Sequence, residues 1–256
     1  MTLNRREFFN LAAGGIAMGV LASTPLAQAA ARPKIKAIAF DAFPVFDPRP
    51  VFALAEQLFP GRGAELSNLW RIRQFEYQWL RALAGRYADF WQTTEDGLVF
   101  AARMLKLDLT PEKRQQLMNA YLGLKTWPDV TPALQTLKSA GIRLAFLSNA
   151  TAKILDAGIK NSGLEGVFEH VLSTDRIKTY KPDPRAYQMA IDAFRLKREE
   201  ILFVAFAGWD AAGAKSFGYP TFWVNRLNLP AEELGVVPDA IGKNLTDLVG
   251  FVKTTQ

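Results

Sequence analysis

The sequence predicts an α/β fold: a doubly wound parallel sheet with a helical cap inserted after the first strand. Three observations carry this. Short apolar runs bounded by turn residues recur at 35–41, 142–149, 201–207 and 221–225, as expected of strands buried on both faces. Helix-length patterns at 131–139, 151–161, 183–194 and 209–217 separate or follow the later runs, and such alternation implies parallel strands joined by crossover helices. Residues 49–125 break the alternation, with long helix-compatible stretches and no strand-like run.

In chain order, the first run, "IKAIAFD", ends on a single carboxylate, Asp41, followed by Ala-Phe-Pro. The insertion contains "AELSNLWRIRQFEYQWLRALAGRY" and "TTEDGLVFAARMLKL". Thr110 then reads as the N-cap of a further helix with Pro111 at its first position. The second run closes on Ser148-Asn149, the third precedes "AGWD" with Asp210, and "YKPD" lies between them. Gly141, Gly163 and Gly218 stand where helices should stop. His170, in "VFEHVLSTD", reads as a structural histidine at a strand start. Ligands of such sheets sit outside the carboxyl ends of the strands. Asp41, Ser148, Asn149 and Asp210 therefore converge on one crevice.

Composition narrows the chemistry. At 256 residues with 49% hydrophobic and 22% charged residues, the chain is globular and long enough for a sizeable core. The net charge of +6 comes from scattered Lys and Arg residues. That favours small anions rather than nucleic acid. With no cysteine and one histidine, disulfide scaffolds, thiolate metal sites and multi-His metal sites are ruled out. Residues 1–31 read as an export signal: Arg5 and Arg6 precede an apolar run from Leu11 to Ala22, and Ala27 and Ala29 form a small-residue cleavage pattern. Paired arginines of this kind resemble a twin-arginine signal, which implies the twin-arginine export machinery as a partner and a periplasmic address. An uncleaved membrane anchor is the other reading, although the run is short for a bilayer.

Each motif is common alone; their order is not. Strand-Asp41, helical insertion, strand-Ser148, "YKPD" with Lys181, then strand and Asp210 together resemble the haloacid dehalogenase superfamily over the whole mature chain. The resemblance implies a Rossmann-like core of residues 32–48 and 126–256 carrying a cap of 49–125. Most members are magnesium-dependent phosphatases, which place a second acid two residues after the nucleophile. Here that position is Phe43, and "AFAGWD" offers only Asp210 where two acids are usual. Phosphoryl transfer needs hard-oxygen ligands for a cation; displacement of a halide from carbon needs neither cation nor proton donor.

"LWRIRQFEYQWLRALAGRYADF" and the Trp-Asp of "GWD" are similar to segments of the L-2-haloacid dehalogenases. That resemblance implies Asp41 as nucleophile, attacking C2 with inversion to form an ester, with no metal and no cofactor. Arg71, Asn149 and Trp209 would surround the departing halide. Ser148 and the backbone amides of Ala42 and Phe43 would hold the substrate carboxylate, and Lys181 would keep Asp41 ionised. Asp210 would position or deprotonate the hydrolytic water, steadied by Tyr187. Phe43, Ile72, Phe75 and Phe90 would wall the alkyl pocket. A small 2-haloacid and water are then the partners, together with a second copy of the chain as a homodimer.

The chain departs from that pattern twice. Ala205, Phe206, Ala207 and Gly208 stand where polar Ser and Asn usually precede Trp-Asp, which implies fewer partners for Asp210. Pro44-Val45-Phe46 replaces the usual Gly-Thr-Leu after the nucleophile, giving a stiffer turn with φ fixed at Pro44. Two alternatives stay open on sequence alone: a magnesium-dependent phosphatase, and a catalytically drifted member that binds small carboxylates.

Overall fold

The computed structural model describes residues 34–255; the export signal expected at 1–31 lies outside them. Six parallel strands form one sheet: β1 (Ala37–Phe40), β2 (Arg143–Ser148), β3 (His170–Ser173), β4 (Ile201–Ala205), β5 (Thr221–Val224) and β6 (Ala240–Gly242), in the order β3-β2-β1-β4-β5-β6. The chain starts at the centre, steps outward through β2 to β3, then crosses back to β4 and continues to the other edge. The topological switch point therefore lies between β1 and β4, where crossover loops diverge and leave a crevice.

Strand alternation builds two cores. Ile38 and Phe40 of β1, with Leu202 and Val204 of β4, face one side of the sheet; Ala37, Ala39, Ile201, Phe203 and Ala205 face the other. The first side is covered by α5 (Val130–Ser139), α6 (Ala152–Asn161) and α9 (Leu245–Thr254), the second by α7 (Pro184–Phe194) and α8 (Gly208–Phe217). Both faces of β1 and β4 are thus sealed, and every residue of the two strands is buried.

Between β1 and β2 come α1 (Arg49–Leu58), α2 (Gly63–Leu83), α3 (Phe90–Met104) and α4 (Pro111–Ala120). The Thr110 side chain accepts the Lys113 N–H, capping α4 with Pro111 behind it. Asp89 caps α3 in the same way through Gln92. Trp70 of α2 is buried at 1% exposure and its indole N–H donates to the Thr94 carbonyl of α3 at 2.7 Å. Gly97 lets the two helices meet backbone to backbone, since a Cβ there would fall 3.0 Å from the Gln74 nitrogen.

Gly141, Gly163 and Gly218 do end their helices with positive φ, at 79°, 63° and 102°. His170 opens β3, its ring edge-on to Phe194 at 5.3 Å.

Candidate active site

Asp41 directly follows β1, and its N–H prolongs the sheet ladder to the Val204 carbonyl at 2.9 Å. Asp210 lies in the first turn of α8, just past β4, where the helix dipole favours an anion. The two carboxylates thus straddle the switch point. Lys181, just before α7, enters between them: its Nζ donates to Asp41 Oδ1 at 2.8 Å and to Asp210 Oδ2 at 2.6 Å. Burial alone would push the lysine pKa down, but Asp210 and Asp41 outweigh it and hold the ammonium above its ordinary value. Burial likewise pushes Asp210 up to about 6, against the pull of Lys181 and with the repulsion of Asp41.

Tyr187 of α7 donates its phenol to Asp210 Oδ1 at 2.8 Å. Burial first, then the Asp210 charge, raises that phenol well above its usual pKa, so it stays a neutral donor. Gly213 makes the approach possible, because a Cβ there would lie 2.5 Å from the Tyr187 oxygen. Tyr219 fixes the base of the ring by donating to the Tyr187 carbonyl at 2.7 Å. The Asp210 carboxylate therefore has a donor on each oxygen despite Ala205 and Ala207, and Ala207 caps α8 with no side-chain bond.

The neighbouring strand end presents Ser148 and Asn149, both buried. Ser148 Oγ accepts the Ala150 N–H at 3.1 Å, which leaves its O–H as a donor. Asn149 Oδ1 accepts the Lys181 N–H at 2.9 Å and the Thr174 hydroxyl at 3.3 Å. Its Nδ2 donates to Gln78 Oε1 at 3.2 Å. The Phe43 N–H reaches Asp41 Oδ2 at 3.3 Å.

Helix α2 brings an aromatic and cationic face to this end of the sheet. Arg71, Phe75 and Gln78 fall at i, i+4 and i+7, one stripe of the helix. The Phe75 ring meets Trp209 edge-on at 5.3 Å, and Trp79 does the same at 5.3 Å. The Trp79 indole also donates to the Lys181 carbonyl at 3.1 Å. The Arg71 guanidinium makes no hydrogen bond or ion pair among the described residues; its charge is felt by buried Tyr121, whose phenol burial raises and Arg71 partly lowers.

The turn after the nucleophile is held by its carbonyls. The Val45 and Phe46 N–H groups both reach the Ala42 oxygen, at 3.1 and 2.8 Å. The Trp127 indole donates to the Phe43 and Phe46 carbonyls at 3.0 and 3.1 Å. Arg226 donates to the Pro44 carbonyl at 3.0 Å while its fork grips Asp129 at 2.9 and 2.8 Å. Asp129 also accepts the Leu245 N–H at 2.8 Å. Phe46 itself is core, stacked on Phe146 at 5.2 Å and pressed against Gly158.

Of the residues read from sequence, Asp41, Lys181, Asp210 and Tyr187 are joined in one hydrogen-bonded chain, with Asn149 attached through the Lys181 backbone. Phe43 packs on Phe206, centroids 6.0 Å apart, and Phe75 on Trp209. Ile72 is 52% exposed, and Phe90 is buried against Tyr121. Sequence reasoning missed Gln78, Trp79, Thr174 and Phe206. For Gln78 a signal existed: it stands two helical turns beyond Arg71, on the same face.

The strand-end Asp41 is thus bridged through a buried lysine to an Asp in the first turn of α8, and the chain belongs to the haloacid dehalogenase-like hydrolases, whose family model matches residues 5–218. Among curated relatives, it is 47% identical to an (S)-2-haloacid dehalogenase of Pseudomonas sp. (strain YL) over 86% of this chain and 95% of that protein. It is 43% identical to haloacetate dehalogenase H-2 of Moraxella sp. (strain B), over 80% and 92%. A crystal structure of an L-2-haloacid dehalogenase matches with a TM-score of 0.85 and 43% identity, covering 86% of this chain and 100% of that one. The Xanthobacter autotrophicus L-2-haloacid dehalogenase with chloropropionic acid covalently bound matches at 0.79 and 33% identity, over 86% and 98%.

Proposed function

We propose that the protein hydrolyses carbon–halide bonds, converting L-2-haloalkanoic acids of the haloacetate or 2-chloropropionate type to the hydroxy acids, with (R) configuration where C2 is chiral. The observation that carries this is the Asp41–Lys181–Asp210 bridge in a chain so similar to named haloacid dehalogenases.

Asp41 Oδ2 is the oxygen to attack: Lys181 occupies Oδ1, and among the described residues Oδ2 has only the 3.3 Å bond from Phe43. It displaces the halide from C2 from behind, the C–X bond pair leaves with the halide, and an aspartyl ester forms with inversion. The Ser148 hydroxyl and the Ala42 and Phe43 amides hold the substrate carboxylate. Arg71, Asn149 and Trp209 receive the halide, and Phe43, Ile72, Phe75 and Phe90 bound the alkyl group. Water then adds to the ester carbonyl, passing one proton to Asp210; the bond from that carbon to the C2 oxygen breaks, the departing oxygen takes up the water's second proton to give the hydroxy acid, Asp41 is restored as a carboxylate, and Asp210 releases its proton to solvent. Lys181 balances negative charge on both sides of this cycle. None of these steps calls on a metal or cofactor.

Mass spectrometry after brief exposure to L-2-chloropropionate tests this: a mass gain on the Asp41 peptide, with chloride release undiminished by EDTA, is expected. Absence of both refutes the reading.

Three further parts of the reading are proposals. Helices α1–α4, within 49–125, act as a cap over the remaining core, supported by the Trp79 and Gln78 contacts to the sheet end. The protein is exported to the periplasm by the twin-arginine machinery, supported by Arg5, Arg6 and the Ala27–Ala29 pattern; an Arg5→Lys, Arg6→Lys pair should leave it in the cytoplasm on fractionation. It forms a homodimer through apolar cap surface such as Leu80 and Leu83, 61% and 87% exposed; light scattering of Leu80→Glu should then give the monomer mass.

A further inference from the structure

Two buried amides face each other at the end of the sheet. Gln78 of α2 is wholly buried, at 0% exposure, and Asn149 is 5% exposed. A glutamine this deep in a helix face needs partners for four polar valences. Its Oε1 has one, the Asn149 Nδ2 at 3.2 Å. Its Nε2 has none among the described residues, although the atom is buried. An unpaired buried amide nitrogen is costly, so apolar packing alone gives no reason for Gln at this position.

The orientation of Asn149 is not arbitrary. Its Oδ1 accepts from the Lys181 backbone N–H at 2.9 Å and from Thr174 at 3.3 Å. Flipping the amide would set NH2 against a backbone donor, so Nδ2 must face Gln78. One of its two N–H bonds then goes to Gln78 Oε1, and one remains. The Gln78 Nε2 shares its carboxamide plane with that same Oε1, which keeps its donors within a few ångströms of Asn149. Along α2, Gln78 shares the stripe of Arg71 and Phe75, and Phe75 abuts Trp209. The spare donors of both amides thus belong to the side of the site where the halide is placed.

We propose that Gln78 completes the leaving-group cradle: its Oε1 fixes the Asn149 amide, and its unpaired Nε2 donates to the departing halide. This rests on the reading that Asn149 receives the halide. A halide forming from the C–X bond gathers charge as the bond breaks, so donors placed there act mainly on ester formation. Hydrolysis of the ester, which occurs at the Asp41 carbonyl beside Asp210, should not feel the change.

The test uses Gln78→Met, close in volume and lacking both polar ends, and Gln78→Glu, which keeps an acceptor for Asn149 but removes the donors. Rapid-quench halide release reports ester formation; decay of the trapped Asp41 ester reports hydrolysis; bromide inhibition reports the halide site directly. Loss of a donor to an ion should slow the release burst of Gln78→Met, and weaken bromide inhibition, each by about tenfold or more, with ester decay within about twofold of the parent. Gln78→Glu should be impaired at least as much. Native burst and bromide inhibition in both variants, or equal slowing of both half-reactions, would overturn the proposal. Asn149→Ala separates it from the underlying reading. If Asn149→Ala relieves bromide inhibition and the Gln78 variants do not, only the Gln78 role fails. If neither does, the halide site itself is misplaced. Thermal melting of each variant confirms that it folds.

Discussion

Removing one oxygen atom, in Tyr187→Phe, should move the pH dependence of turnover without abolishing activity at high pH. The phenol donates to Asp210 Oδ1 at 2.8 Å, and burial holds Asp210 at about 6. That bond stabilises the charged carboxylate, so losing it raises the pKa further. A hydrogen bond to a charged group is worth about 1.5–3 kcal/mol, and one pKa unit is about 1.4 kcal/mol. The acid limb of kcat, with the ionised Asp210 as base, should therefore move upward by about one to two pH units. The tyrosine is held neutral well above its usual range, so it is not the titrating group. The assay is steady-state chloride release from L-2-chloropropionate between pH 5 and 9, with trapped ester quantified by mass spectrometry. Ester should accumulate in the variant below pH 7, and kcat should approach the parent value at pH 9. Tyr219→Phe, which loses a bond to the Tyr187 carbonyl and none to Asp210, should leave the limb in place. A uniform loss at every pH, with no movement of the limb, would refute the reasoning.

Gly213→Ala places a Cβ 2.5 Å from the Tyr187 oxygen and 2.7 Å from Pro182; it should shift the limb in the same direction and cost about 1–3 kcal/mol of stability in denaturant melts. Lys181→Met strips the shared partner from Asp41 and Asp210; it should abolish ester formation and destabilise by about 3–5 kcal/mol, lowering Tm by about 10 °C in a domain of this size. Trp127→Phe removes the donor to the Phe43 and Phe46 carbonyls; burst-phase halide release should fall while decay of a preformed ester is unchanged.

The parts of the fold that sequence revealed are those whose burial leaves a local trace. β1, β2, β4 and β5 are sealed on both faces, so each reads as an apolar run, and helices α5–α8 begin and end within a residue or so of the patterns between them. β6 is three partly exposed residues, held by parallel pairing with β5 rather than by an apolar run, and α9 follows it unannounced. β3 was visible only at its first residue, His170, for the same reason: its first half is partly exposed. In the site, strand-end position exposed Asp41 and Asp210, and "YKPD" exposed Lys181. Thr174 was not legible, and Gln78 only by its helical register with Arg71, since their meeting at Asn149 spans 25 and 71 residues of chain. Ala205 and Ala207 give Asp210 no side-chain donor; its two carboxylate oxygens take the Tyr187 phenol and the Lys181 ammonium that the sequence had placed beside it.

The turn after Asp41 is tethered at three points by side chains that grip peptide oxygens, those of Phe43, Pro44 and Phe46. Every residue type has such an oxygen. The path of the backbone beside the nucleophile is thereby dictated from Trp127 and Arg226 as well as by the buried side chains of Val45 and Phe46. This also moves the constraint elsewhere, because Arg226 depends on Asp129, and Asp129 on the first turn of α9. The end of the chain is in this sense part of the nucleophile's mounting, and changes that loosen α9 should be felt at Asp41 before they are felt in the sheet.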